Sequence, residues 1–195
     1  MPKWSPWVVA LATLTAITDA GAQSPTCQFR GAPDALAERP SPLDSLDVRL
    51  GDGTAKLCYG RPSARGRTIL GVQDPFGSPW RMGANEPTTL HLPFPASLGG
   101  IDLRPGSYSL YAIPEVGSWT IVVNGNTNRW GIPINPDVRR SDVGNFTVTT
   151  SELAQPVETL TFRFEGNGVS GVLVFEWERT TFSIPIVRLG RSLKN

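Results

Sequence analysis

Apolar and polar residues alternate along most of this chain, in short runs. "VETLTFRFE" places Leu160, Phe162 and Phe164 on one side and Thr161 and Arg163 on the other. "GVLVFEWE" sets Leu173, Phe175 and Trp177 against Glu176 and Glu178. "SWTIVVN" aligns Trp119, Ile121 and Val123, and "TTFSIPIV" aligns Phe182, Ile184 and Ile186. A period of two marks a strand buried on one face. "LDVRL" and "TAKLCYG" flank "GDG", which predicts a hairpin. "TTLHLPF" and "NFTVTTS" read as further strands. "SLGGIDLRPGSYSLYAIP" reads as two strands around "RPGS", with Pro105 and Gly106 at the centre of a type II turn. Pro185 removes a ladder donor, so the last strand is expected at a sheet edge. Nine or ten such strands without a helical stripe predict an all-β fold: a single antiparallel β-sandwich or jelly-roll-like domain.

The pattern changes before Leu46. Lys3, the apolar run Val8 to Ile17 and the small-residue site "AGA" (Ala20 to Ala22) have the order of a secretory signal peptide. The run is about half the length that a membrane-spanning helix needs, so no transmembrane segment is expected. The expected organisation is a signal peptide at 1–22, an irregular arm at 23–45 and a sandwich domain at 46–195. Within the arm, "PDALAE" has the composition of one helical turn. Localisation is expected to be periplasmic or extracellular.

The formal charge is +1. Removing the signal leaves it unchanged, because Lys3 and Asp19 cancel, so nothing points to nucleic acid as a partner. Cys27 and Cys58 are the only cysteines. In an oxidising compartment they form a possible disulfide worth about 3 kcal/mol on the loop-entropy estimate. Two distant cysteines and one histidine do not make a zinc set, and no metal or cofactor is expected.

Four features carry candidate chemistry. "YGRPSARGRTILG" holds Arg61, Arg65 and Arg67; in an extended chain the last two share a face, where guanidinium forks suit a carboxylate or phosphate. It lacks the pattern of a P-loop. "PWRMGANEPTTL" collects Trp80, Arg81, Asn85 and Glu86 between two prolines. Glu86 either floors a polar pocket ringed by arginines or forms a buried pair with one of the nearby arginines. "NRWGIP" offers Trp130 as a platform for a flat ligand or as a lid on the core. His91 is a lone histidine on a strand, with no nucleophile in a recognisable elbow.

"YGRPSARGRTILG", "PWRMGANEPTTL", "LRPGSYSLYAIP", "WTIVVN" and "RWG", in that order, resemble the DUF2911 family of exported bacterial proteins of undefined function. The resemblance runs from about Leu46 to Ile186 and implies export and a β-rich domain, without implying a reaction. Two positions depart from it: Met82 stands where a threonine is expected, and "VQDPFGS" replaces an apolar-Pro-Tyr-Gly run.

The reading that follows is a non-catalytic envelope protein that binds a small polar or anionic ligand, such as a carbohydrate. The binding residues would be Arg61, Arg65, Arg67, Trp80, Arg81, Asn85, Glu86 and Trp130. One alternative is a structural sandwich in which the Arg/Glu cluster clamps the fold. The other is a hydrolase with Glu86 as general acid or base, its second carboxylate drawn from Asp74, Asp102 or Asp137.

Overall fold

The computed structural model describes Met1 and residues 25–190. The signal segment at 1–22 and the expected start at Gln23 therefore lie outside the described residues, apart from Met1. Ten strands run β1 (Leu43–Leu50), β2 (Gly53–Gly60), β3 (Thr88–Leu92), β4 (Ala96–Leu98), β5 (Ile101–Leu103), β6 (Gly106–Pro114), β7 (Ser118–Asn124), β8 (Asp142–Thr149), β9 (Ser151–Asn167) and β10 (Ser170–Arg188). Two short helices, α1 (Pro33–Ala37) and α2 (Pro136–Arg139), sit in the arm and in the connection from β7 to β8. Among the described residues no helix is long and apolar enough to cross a membrane.

The strands form two antiparallel sheets, six-stranded in the order β1-β2-β3-β6-β7-β8 and four-stranded in the order β5-β4-β10-β9. Their inner faces make one β-sandwich core. The alternating residues supply it as patterned: Trp119, Ile121, Val123, Leu160, Phe162, Leu173, Phe175, Trp177, Phe182, Ile184 and Ile186 are all buried. Aromatic rings fill its centre. Trp119 meets Phe175 at 5.4 Å and Phe182 at 5.1 Å, and Phe162 meets Phe175 edge-on at 5.5 Å. Such contacts add to the area term.

Three local expectations are corrected. The first strand begins at Leu43, because the hairpin register continues from Leu50↔Gly53 to Leu43↔Gly60. The stretch from 96 to 114 holds three strands. Its tight turn is at Gly99 and Gly100, which have φ of 57° and 88° and join β4 to β5. Gly106 instead opens β6 in the other sheet, so Pro105-Gly106 is a crossover between sheets and not a type II turn. Finally, the last strand is the far half of β10, which lies between β4 and β9. Pro185 is tolerated there because pairing with β9 ends at Thr181↔Ser151. Its carbonyl still accepts from the Gly99 amide at 2.8 Å.

The outer face of the large sheet is covered at β3. β3 is buried along its whole length. The arm residues Gln28, Phe29 and Arg30 and the connection residues Thr127 to Arg129 enclose a small space over Thr89 and His91. The arm is anchored covalently: Cys27 and Cys58 form a disulfide with their Cα atoms 5.6 Å apart.

Candidate functional site

The segment from Arg61 to Pro87 links β2 to β3 across one end of the sandwich. It is pinned at Trp80, whose amide and carbonyl pair with Ala112 at 2.7 and 2.8 Å. The Trp80 ring enters the core, stacked on Trp177 at 5.7 Å and edge-on to Trp119 at 5.7 Å. Trp80 is thus buried and anchors the segment in the core. After it the chain turns sharply, with Met82 and Asn85 at φ of 54° and 62°. This left-handed conformation costs a non-glycine residue about 1–2 kcal/mol. Full burial of the Met82 side chain and a 2.8 Å hydrogen bond from Thr88 Oγ1 to the Met82 carbonyl hold the turn. The Met82 side chain belongs to the hydrophobic core, so an apolar residue is accommodated there. The turn packs directly on β2, where a Cβ on Gly60 would lie 1.9 Å from the Ala84 carbonyl oxygen.

A cleft of about 330 Å³ opens beside this turn, and Arg65, Arg67, Asp74, Trp80, Arg81 and Trp177 are among its walls. The arginines do not share a face by strand alternation, since Arg65 has φ of 55°; a turn brings them to the cleft. Carbonyl groups fix all three. Arg65 Nη2 donates to the Pro40 carbonyl at 2.9 Å, Arg67 Nε to the Ala64 carbonyl at 2.9 Å, and Arg81 Nε to the Gly83 carbonyl at 3.0 Å. None of the three forms a salt bridge among the described residues. Burial lowers the pKa of the half-buried Arg81 guanidinium, an effect that the charge of Asp74 opposes. Burial raises the pKa of Asp74, with Glu178 adding to the rise and Arg81 opposing it. Glu178 in turn holds the cleft wall in place. It accepts from the amides of Ile69 and Leu70 at 2.9 and 2.8 Å, and sits at a bulge in β10 with φ of 51°. Glu178 carried no signal in the sequence beyond its place on the polar side of an alternating strand.

Glu86 lies elsewhere. It is 6% exposed and does not line the cleft. Its partners come from the arm: Arg39 Nη1 donates to Oε2 at 2.7 Å, Arg39 Nη2 to Oε1 at 3.0 Å, and the Arg30 amide to Oε1 at 2.6 Å. Burial by itself would raise the Glu86 carboxyl. The Arg39 fork and the Arg30 amide outweigh it and hold the group below its ordinary value. Of the two readings of Glu86, the structure has the buried ion pair rather than the pocket ringed by Arg61, Arg65, Arg67 and Arg81, and its partner is Arg39 of the arm instead of an arginine near it in sequence.

The remaining candidates serve the same closure. Asn85 Nδ2 donates to the Ser41 carbonyl at 3.0 Å. Arg61 bonds the Leu160 carbonyl and Thr161 Oγ1, both at 3.0 Å, and lies 3.6 Å from Asp44. Trp130 is 50% exposed, with the Arg39 guanidinium 6.0 Å from its ring. His91 is buried, its Nδ1 2.8 Å from Ser107 Oγ, and burial lowers its pKa. Of the proposed second carboxylates only Asp74 lines the cleft. Asp102 lies on β5, and Asp137, on α2, pairs with Arg140.

Comparison with curated proteins and with solved structures gives no match. A family model described as "Protein of unknown function (DUF2911)" matches residues 41–186, which take in the turn, the cleft arginines and nearly all of both sheets. On that match the chain belongs to the DUF2911 family.

Proposed function

We propose that this protein is an exported, non-catalytic binding protein for a small molecule bearing a carboxylate or phosphate, held in the cleft of Arg65, Arg67 and Arg81. One observation carries the reading: Arg65, Arg67 and Arg81 line one cleft, are fixed by carbonyls, and form no salt bridge among the described residues, with Asp74 the one acid that acts on Arg81 there. Elsewhere in the domain arginines are commonly neutralised, as Arg39 is by Glu86 and Arg163 by Glu176. Among the described residues that line the cleft, Asp74 is the one carboxylate against three cations. An oxyanion would accept their remaining N–H groups in charge-assisted bonds. The signal-like N-terminus and the disulfide support an exported setting.

The structural alternative has its own support, but at Glu86 and not at the cleft. A hydrolase using Glu86 finds no support in the geometry, because that carboxylate is buried and fully engaged by the arm.

A thermal-shift panel of dicarboxylates, sugar phosphates and neutral sugars tests the proposal. A ligand at about 100 times its Kd stabilises by about 2.7 kcal/mol, or about 5–11 °C for a domain of this size. An anionic ligand is expected to produce this shift in the wild type and to lose it in Arg81→Gln. A panel without any shift, or a shift that survives Arg81→Gln, overturns the reading.

A further inference from the structure

Among the described residues, every hydrogen bond from another residue to the buried Glu86 carboxylate comes from the arm. The family match begins at residue 41, so Glu86 belongs to the matched domain while Arg30 and Arg39 precede it. The arm contributes no buried apolar side chain from α1. Apart from the disulfide, it is held by polar contacts such as Arg30 Nη2 to Asn128 Oδ1 at 2.6 Å and Asn85 to the Ser41 carbonyl. Its fit is also incomplete. A cavity of about 60 Å³ remains beneath Gln28, Phe29 and Arg30. His91 lines it, only 8% exposed, and its Nε2 has no hydrogen-bond partner among the described residues. That volume exceeds the ~15 Å³ that one water needs. The cavity therefore has room for a polar group beside His91 Nε2.

We propose that Glu86 and the groove under the arm form a receptor site for an arginine-bearing peptide, occupied here in cis by the chain's own Arg39. The paired oxygens of Glu86 receive a guanidinium fork, and Trp130 flanks it. His91 Nε2 is placed to bond a polar side chain that the arm does not supply. The disulfide raises the arm's effective concentration and excludes competitors. The site is separate from the arginine cleft and stands or falls independently of it.

The test uses the full chain carrying Cys27→Ser, Cys58→Ser and Arg39→Gln. The probe is a fluorescein-labelled peptide of residues 25–42 with serine in place of Cys27, read by anisotropy. The peptide is expected to bind this variant at least about tenfold more tightly than it binds the wild type, whose site is filled. Adding Glu86→Gln to the protein, or replacing the peptide's Arg39 by lysine, is expected to weaken binding by at least about tenfold, since lysine cannot reproduce the bidentate geometry. Absence of binding to the folded variant, equal binding to the wild type, or indifference to Glu86→Gln overturns the proposal. If the triple variant does not fold, Arg39→Gln with the disulfide intact is titrated with ethylguanidinium. The melting temperature is then expected to rise toward that of the wild type. No rise beyond that seen with the Glu86→Gln, Arg39→Gln double variant overturns the proposal.

Discussion

Replacing Glu86 by glutamine removes one charge from a pair whose side chains are 8% and 13% exposed. The amide can still accept from the Arg30 amide or from Arg39, but the Arg39 guanidinium is left without a counter-charge. Breaking a buried pair from one side typically costs about 3–5 kcal/mol. Arg39 sits at the rim of the fold, and the disulfide keeps the arm close even when the pair is broken. We therefore expect the lower end, about 3 kcal/mol, which corresponds to a fall of about 6–12 °C in Tm. Calorimetry or thermal circular dichroism at neutral pH reads this directly. The sign of the pH dependence follows from the depressed carboxyl. Its stabilisation is present above the unfolded-state value of about 4.3 and is lost as pH falls through the lower folded-state value. The gap between wild type and Glu86→Gln should accordingly be widest near neutrality and narrow in acid. A variant that melts within about 1 °C of the wild type at neutral pH would refute the clamp.

Further outcomes are expected. Gly60→Ala should destabilise by about 3 kcal/mol or more, because its Cβ would collide with the Ala84 carbonyl oxygen at 1.9 Å; chemical denaturation measures it, and a neutral result would mean that the turn is free to move. Trp80→Ala should cost about 3–5 kcal/mol by emptying the ring's place between Trp119 and Trp177, with loss of near-ultraviolet circular dichroism as a second readout. Replacing both Cys27 and Cys58 by serine, across a separation of 31 residues, should cost about 3–4 kcal/mol on the entropic estimate; an unchanged denaturation midpoint would contradict it. Anion binding at the cleft should tighten as pH falls toward the raised pKa of Asp74, where its repelling charge is lost; titration calorimetry across that fall would show this for an anion that stays charged, and the reverse trend would place the anion elsewhere.

The sandwich was legible because half-buried strands write their period into the chain. Leu160-Phe162 and Leu173-Phe175-Trp177 point inward as their alternation requires. Turn chemistry was less legible. Gly99-Gly100 and Pro105-Gly106 both look like turns, and only the sheet assignment shows that the first reverses the chain and the second crosses between layers. The site was half legible. Arg65, Arg67 and Arg81 stood out by density and do meet on one cleft. The partner of Glu86 did not stand out, because Arg39 is 47 residues away in a proline-rich arm with no periodicity. An ion pair across that distance leaves no local trace. Glu178 was silent, an ordinary acid on the polar side of a strand, and Asp74 stood out only as one of three acids offered as a second carboxylate.

One conspicuous motif serves two tasks. Arg81 faces a cleft that takes an anion, and Glu86 fastens the arm. Measuring Tm and anion affinity side by side for Arg81→Gln and Glu86→Gln tests that division most directly. Arg81→Gln is expected to lower affinity at least about tenfold and leave Tm nearly unchanged, while Glu86→Gln lowers Tm and leaves affinity nearly unchanged. Loss of affinity in Glu86→Gln at full stability, or unaltered affinity in Arg81→Gln, would contradict it.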